Sequence, residues 1–196
     1  MNTKMITFAI MMGALGNVLF IISYYGGPIA QGVALDLSLI GVFIAGLYGG
    51  PAVGLTAGII AGILPGIMFG PMGSGGVLGL IGLPLGKALT GLTTGLLTKG
   101  LKLHQRSHAS LITAPMILIA YVPEALFTIA YFTYLLPLFL SQQLGTAIIV
   151  TIMIKAFIEV TIMSILMAAV VGNNGFNNFI KAHFTKMNPS RTINET

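Results

Sequence analysis

The chain has no cysteine, which excludes disulfide scaffolding, thiolate chemistry and Cys-based zinc sites at once. Tryptophan is also absent, and aspartate and glutamate together number only 4. Charged residues make up 7% of the chain, against about 25% in ordinary soluble domains. No water-facing surface of normal polarity can be built from so little charge. The 3 histidines are scattered, so their spacing offers no metal site. No glutamate pair with an intramembrane histidine suggests a membrane protease, and no Ser/His/Asp set is present. Gly82-Leu83-Pro84-Leu85-Gly86-Lys87-Ala88 imitates a phosphate-binding loop. It has Ile81 where the motif requires glycine, and no Ser or Thr follows the lysine. Neither catalysis nor a bound cofactor is expected.

What the chain has instead is apolar length. Hydrophobic residues reach 56% and mean hydropathy is +0.97. A spanning helix needs about 20 mostly apolar residues, and six such spans are read here: 5–24, 31–48, 51–69, 77–98, 109–135 and 144–171. The first is too long for a signal-peptide core and lacks a small-residue cleavage site. Turn chemistry separates the spans, at Gly26-Gly27-Pro28, Gly49-Gly50-Pro51, 70–76 and Ser141-Gln142-Gln143. The expectation is an all-α integral membrane protein, a single transmembrane domain over 1–196. It is a six-helix bundle without a sheet, followed by a polar basic tail over 173–196.

The net charge of +5 could suggest nucleic acid, but the basic residues flank apolar segments. Lys4, the cluster Lys99, Lys102 and Arg106, and the tail lysines Lys181 and Lys186 with Arg191 all fall on one side of a six-span arrangement. The positive-inside rule makes that side cytoplasmic, with both termini on it, in a cell membrane. Nucleic acid is therefore not an expected partner, whereas lipid is.

Glycines recur every fourth residue at Gly50, Gly54, Gly58, Gly62, Gly66 and Gly70, and again at Gly82/Gly86 and Gly91/Gly95. Residues four apart share a helix face, and small ones there allow backbones to approach closely. Close helix packing is the expectation. An interface along which one helix slides is the more ambitious reading of the same ladder.

Five ionisable residues lie within the apolar stretches: Asp36, Lys87, Glu124, Lys155 and Glu159. A charge near the bilayer centre costs roughly 2.5–3.5 kcal/mol even on lenient scales, so it persists where it faces a bundle interior and finds a partner. At 100° per residue, Lys87 shares a stripe with Thr90, Thr94 and Thr98. Tyr121, Glu124, Thr128 and Tyr131 share another, and Thr151, Lys155 and Glu159 a third. Three polar stripes suggest the walls of one cavity, open toward the outer surface, with Asn17, Tyr24, Tyr25 and Gln31 near its mouth. The opposing expectation is that the charges simply pair with one another, as Lys155 and Glu159 can. Acids and lysines together suit a small molecule carrying a carboxylate and a basic or polar nitrogen.

The passage Val33-Ala34-Leu35-Asp36-Leu37-Ser38-Leu39-Ile40 through Leu47-Tyr48-Gly49-Gly50-Pro51-Ala52-Val53-Gly54, with Gly91-Leu92-Thr93-Thr94-Gly95-Leu96-Leu97-Thr98-Lys99, resembles the substrate-binding S components of energy-coupling factor vitamin transporters. That resemblance implies uptake of a micronutrient powered by a separate ATPase pair through a transmembrane coupling subunit. It also implies that Ala9, Gly13 and Ala14 form the face that docks on that subunit. The sequence departs from the family in lacking tryptophan and an early metal-binding histidine, and in having Gly13 where alanine is usual. The Gly-Pro-x-x-Gly turn also occurs in the five-helix sensor domains of some histidine kinases. A stand-alone proton-coupled carrier and a ligand-sensing transmembrane module are the other functional classes open to this sequence.

Overall fold

The structure is a computed structural model and describes residues 1–26, 28–30, 33–34, 36–73, 75–140 and 146–185. Helix α1, Thr3–Gly26, buries Ala9, Gly13, Gly16, Phe20 and Ser23. These recur at intervals of three and four and so form one stripe, while Ile10, Val18 and Ile22 on other faces are exposed. After α1 a minimal antiparallel pair forms between β1, Pro28–Ala30, and β2, Val33–Ala34. The expectation of no strand at all thus gives way at this one connection.

The expected second span, 31–48, is only partly helical. Helix α2 covers Leu39–Ile44, and a wider π-helical turn, Ala45–Gly49, continues it. Together they rise about 16 Å at 1.5 Å per residue, roughly half the apolar thickness of a bilayer. The helix starts late because Asp36 Oδ1 accepts hydrogen bonds from the Ser38 amide at 3.0 Å and its hydroxyl at 2.5 Å. Such local side-chain bonding competes with helix formation. Gln31, with Ser74, the break at 141–143 and the basic residues beyond 185, lies outside the described residues.

Gly50 has φ 84° and ψ −173°, a region open essentially to glycine alone, and it turns the chain into α3, Pro51–Ala61. Proline at the first helical position suits this start. Gly62 interrupts the helix before α4, Ile63–Phe69. Asn17 of α1 braces that interruption: its Nδ2 donates to the Ile60 carbonyl at 2.8 Å, and its Oδ1 accepts from the Leu64 amide at 3.3 Å. The remaining helices are α5, Gly76–Gly100; α6, Ala109–Ala130; α7, Leu136–Leu140; α8, Thr146–Gly172; and α9, Asn174–Thr185. A π-helical turn, Tyr131–Leu135, joins α6 to α7. The segment expected as a polar tail therefore contains a 12-residue amphipathic helix.

The glycine ladder is the seam between α3/α4 and α5. A Cβ on Gly54 would collide with the backbone of Gly91, one on Gly58 with that of Lys87, and one on Gly62 with Pro84. Close packing, as expected from the spacing, is what the ladder provides. The apolar core forms around α2 instead of around a long helix: Leu39, Val42, Phe43 and Leu47 meet Met116 and Ile117 of α6 and Val160, Met163 and Met167 of α8. The half-length helix is the central rod of the bundle.

Five helices among the described residues are long and apolar enough to cross a membrane: Thr3–Gly26, Pro51–Phe69, Gly76–Gln105, Ala109–Leu140 and Ala147–Gly172. The protein is an all-helical, multi-pass membrane protein, apart from the small β pair. Several contacts gather distant parts of the chain at one end of the bundle. Met1 Sδ accepts from the Thr56 hydroxyl at 3.9 Å, His104 Nε2 lies 2.8 Å from the Leu47 carbonyl oxygen, and the Tyr48 hydroxyl donates to Asn177 Oδ1 at 2.7 Å.

Candidate functional site

Segment 36–38, between β2 and α2, has no helical hydrogen bonds of its own to satisfy its polar groups. Side chains from two long helices supply them instead. Lys87 Nζ, from the middle of α5, sits 2.6 Å from Asp36 Oδ2 and donates to Ser38 Oγ at 2.6 Å. Glu159 of α8 accepts from the Asp36 amide through Oε1 at 2.7 Å, while its Oε2 lies 3.1 Å from Lys155 Nζ one turn away. The result is one continuous chain of charge, Lys155–Glu159–Asp36–Lys87, with Ser38 inside it. Lys87 and Glu159 are buried, at 2% and 5% exposure. Charge-assisted bonds of this kind are roughly twice as strong as neutral ones, and here they fix the entry to α2.

Glu124 of α6 is buried beside this network but makes no ion pair among the described residues. Its Oε2 accepts from the Thr90 hydroxyl of α5 at 2.5 Å. A cleft opens next to it between α5 and the α6–α7 passage, lined by Gly82, Gly86, Glu124, Phe127, Thr128 and Tyr131. The Tyr131 hydroxyl is buried there with no hydrogen-bond partner.

The structure brings together Asp36, Lys87, Glu159 and Lys155 in the network, with Glu124, Thr128 and Tyr131 at the adjoining cleft. Tyr121 is half-buried within electrostatic reach of Glu124, Glu159 and Asp36. Thr151 stands apart: it is exposed, and its hydroxyl returns to the Ala147 carbonyl of its own helix at 2.9 Å. Burial falls along that stripe from Glu159 through Lys155 to Thr151. Asn17 is committed to the α3–α4 interruption instead of a pocket mouth. Ala9 and Gly13 are buried against α2 and α3, where a Cβ on Gly13 would approach Ile60 Cβ to 2.6 Å. They pack the bundle internally and do not form an open docking face with the exposed Ala14. Ser38 and Thr90 supply bonds to the charges that no charge-based reading names. Thr90's position on the Lys87 stripe is the one available signal.

Residues 2–156 match the model of the 5TM-5TMR_LYT family, the 5TMR of 5TMR-LYT, a family of five-transmembrane receptors. The chain belongs to that family. This overturns the resemblance to transporter S components, which rested on loose motifs such as the Gly-Pro-x-x-Gly turn. The ATPase pair, the coupling subunit and vitamin uptake were implied by that resemblance alone and lose their warrant with it. No curated protein and no solved structure matches the chain.

Proposed function

We propose that the chain is a ligand-sensing transmembrane module without catalysis of its own. Membership of a five-transmembrane receptor family supports this, and one structural relationship carries it. Helix α2 touches the charge network at one end and α9 at the other. At its start, Asp36 and Ser38 are held by Lys87 and Glu159. At its far end the Tyr48 hydroxyl is bonded to Asn177, and the Tyr48 ring packs edge-on against Phe176, with centroids 5.5 Å apart. A ligand that redistributes the charge network changes what holds segment 36–38. A rod packed on all sides has few ways to respond except by shifting along its length, which moves α9. A ligand can bias such an equilibrium only through its differential affinity for the two arrangements, and a buried ionic network beside a cleft offers one.

The module sits in the cell membrane with both termini cytoplasmic. The clustering of the N-terminus, the basic 99–106 connection and α9 at one end supports this, together with the positive-inside rule. The segment from β1 to α2 then completes an additional, partly unwound passage. Non-helical backbone at membrane depth is tolerated when buried in protein, and here its polar groups are met by Ser23, Lys87 and Glu159.

The test uses the absence of cysteine. Spin labels at Arg106→Cys and Asn178→Cys report the position of α9 relative to the 99–108 connection in nanodiscs. A small molecule that stabilises the protein thermally should shift that distance distribution and should not accumulate in proteoliposomes under an imposed proton gradient. Accumulation would make the chain a carrier. Stabilisation with an unmoved α9 would make it a binder without output.

A further inference from the structure

We infer that the cleft between α5 and the α6–α7 passage binds a small organic ammonium ion, with Glu124 as its counter-ion and Tyr131 as its hydrogen-bond partner. This deepens the sensing reading and rests on it for biological meaning, although the chemistry of the cleft stands by itself. Charge pairing inside the bundle leaves one group over. Lys87 is matched by Asp36 and Lys155 by Glu159, so of the three membrane carboxylates Glu124 alone makes no ion pair among the described residues. Thr90 occupies Oε2, which leaves Oε1 to meet a ligand.

The cleft encloses about 280 Å³ including its open mouth. Phe127, Tyr131 and Phe132 line it, and the Phe127 and Tyr131 rings are 6.3 Å apart. Aromatic faces attract ammonium groups within about 6 Å, and they also cover a short alkyl stem. A ligand carboxylate would meet Glu124 across the cleft as a like charge, and no lysine or arginine lines it. A proton alone would neutralise Glu124 but leave the buried Tyr131 hydroxyl without a partner, a state native proteins seldom tolerate. Gly82 and Gly86 keep the floor open. A methyl at Gly86 would stand 3.4 Å from Glu124 Cγ and 3.6 Å from Phe127 Cδ1, filling the space without a clash, whereas one at Gly82 would come within 2.6 Å of the Tyr131 ring.

The probes are propylammonium and tetramethylammonium, with propanol and propionate as neutral and anionic controls. Binding is measured calorimetrically on nanodisc-reconstituted protein carrying the α9 distance labels. Either ammonium ion should bind the parent in preference to both controls. Glu124→Gln keeps an acceptor for Thr90 and should weaken binding about 30-fold or more, because it removes one side of a buried charge pair. Tyr131→Phe should weaken it about threefold to tenfold. Gly86→Ala leaves the charge in place and should weaken binding by filling the floor, which keeps the test decisive if Glu124→Gln does not fold. Ammonium binding that survives Gly86→Ala and Glu124→Gln unchanged, or no ammonium binding at all, overturns the proposal. Propionate binding that moves α9 also overturns it but leaves the sensing reading intact. Glu124-dependent ammonium binding with an unmoved α9 upholds the site and defeats the sensing reading.

Discussion

Lys87 Nζ stands 2.6 Å from Asp36 Oδ2 and also donates to Ser38 Oγ, so a single buried ammonium carries the junction between segment 36–38 and α5. Removing one partner of a buried ion pair leaves the other charge uncompensated and costs about 3–5 kcal/mol. Lys87→Met should therefore destabilise the protein by about that amount in reversible thermal or denaturant unfolding in detergent. Adding Asp36→Asn should recover much of the loss, because both charges are then gone. If the double variant is as unstable as the sum of the two singles, the ion pair is not what holds the junction.

Glu159 serves two partners with different demands. Its Oε1 satisfies the Asp36 amide while Oε2 meets Lys155, whose side chain is 16% exposed. Glu159→Gln keeps a carbonyl acceptor for the amide and should cost about 1 kcal/mol, whereas Glu159→Leu strands a buried N–H and should cost about 1–3 kcal/mol more. Lys155→Met should fall below both, since a partly exposed pair contributes little. Unfolding midpoints of the three variants in one detergent test this ranking, and a Lys155→Met protein less stable than Glu159→Leu would reverse it.

How far the sequence revealed this arrangement depends on what determines each feature. The 51–69 span coincides with Pro51–Phe69, because its apolar run, its leading proline and its glycine spacing are all local signals. The glycine seam was legible for the same reason. The second span was not. Residues 31–48 are apolar enough to read as helix, and what unwinds 36–38 is bonding to Lys87 and Glu159, which lie 51 and 123 positions away from Asp36. The five charges were visible as a set because membrane charges are rare. Which lysine would take which acid depended on that unwound segment and could not be read. Helical phase placed Thr151 with Lys155 but carries no information on where neighbouring helices stop covering the stripe.

The contact between α2 and α9 is small and specific. Tyr48→Phe removes the hydrogen bond to Asn177 Oδ1 but keeps the ring against Phe176 and His104. The expected cost is about 1 kcal/mol, confined to the end of the bundle. Hydrogen exchange should accelerate in α9 and remain unchanged in the middle of α5 and α8. Uniform acceleration throughout would mean that the contact supports global stability and not the position of α9.

Orientation yields a labelling experiment. Met72 is 74% exposed, in the connection before α5, and Arg106 is exposed in the basic connection at the opposite end of that helix. In the cysteine-free background, Met72→Cys should react with a membrane-impermeant maleimide added to intact cells. Arg106→Cys should react only after the cells are opened. Reaction of both from outside would place the basic connection on the wrong side for the positive-inside rule.

The seam between α3/α4 and α5 gives the largest expected effects from the smallest chemical changes. At Gly54, Gly58 and Gly91 an added methyl would run into the backbone of the facing helix, which no rotamer change can relieve. Overpacking of this kind costs about 1–3 kcal/mol and occasionally more. Each of Gly54→Ala, Gly58→Ala and Gly91→Ala should lower the unfolding midpoint clearly, and Gly54→Ala with Gly91→Ala should not be additive, since the two glycines face each other. Gly100→Ala is the control: nothing lies within 4 Å of the added carbon at that helix end, and alanine has the higher helix propensity. It should be neutral or slightly stabilising. A ladder in which Gly58→Ala behaves like Gly100→Ala would mean that α3 and α5 can separate at little cost. The sliding interface that the glycine spacing also permits would then become the better description of the seam.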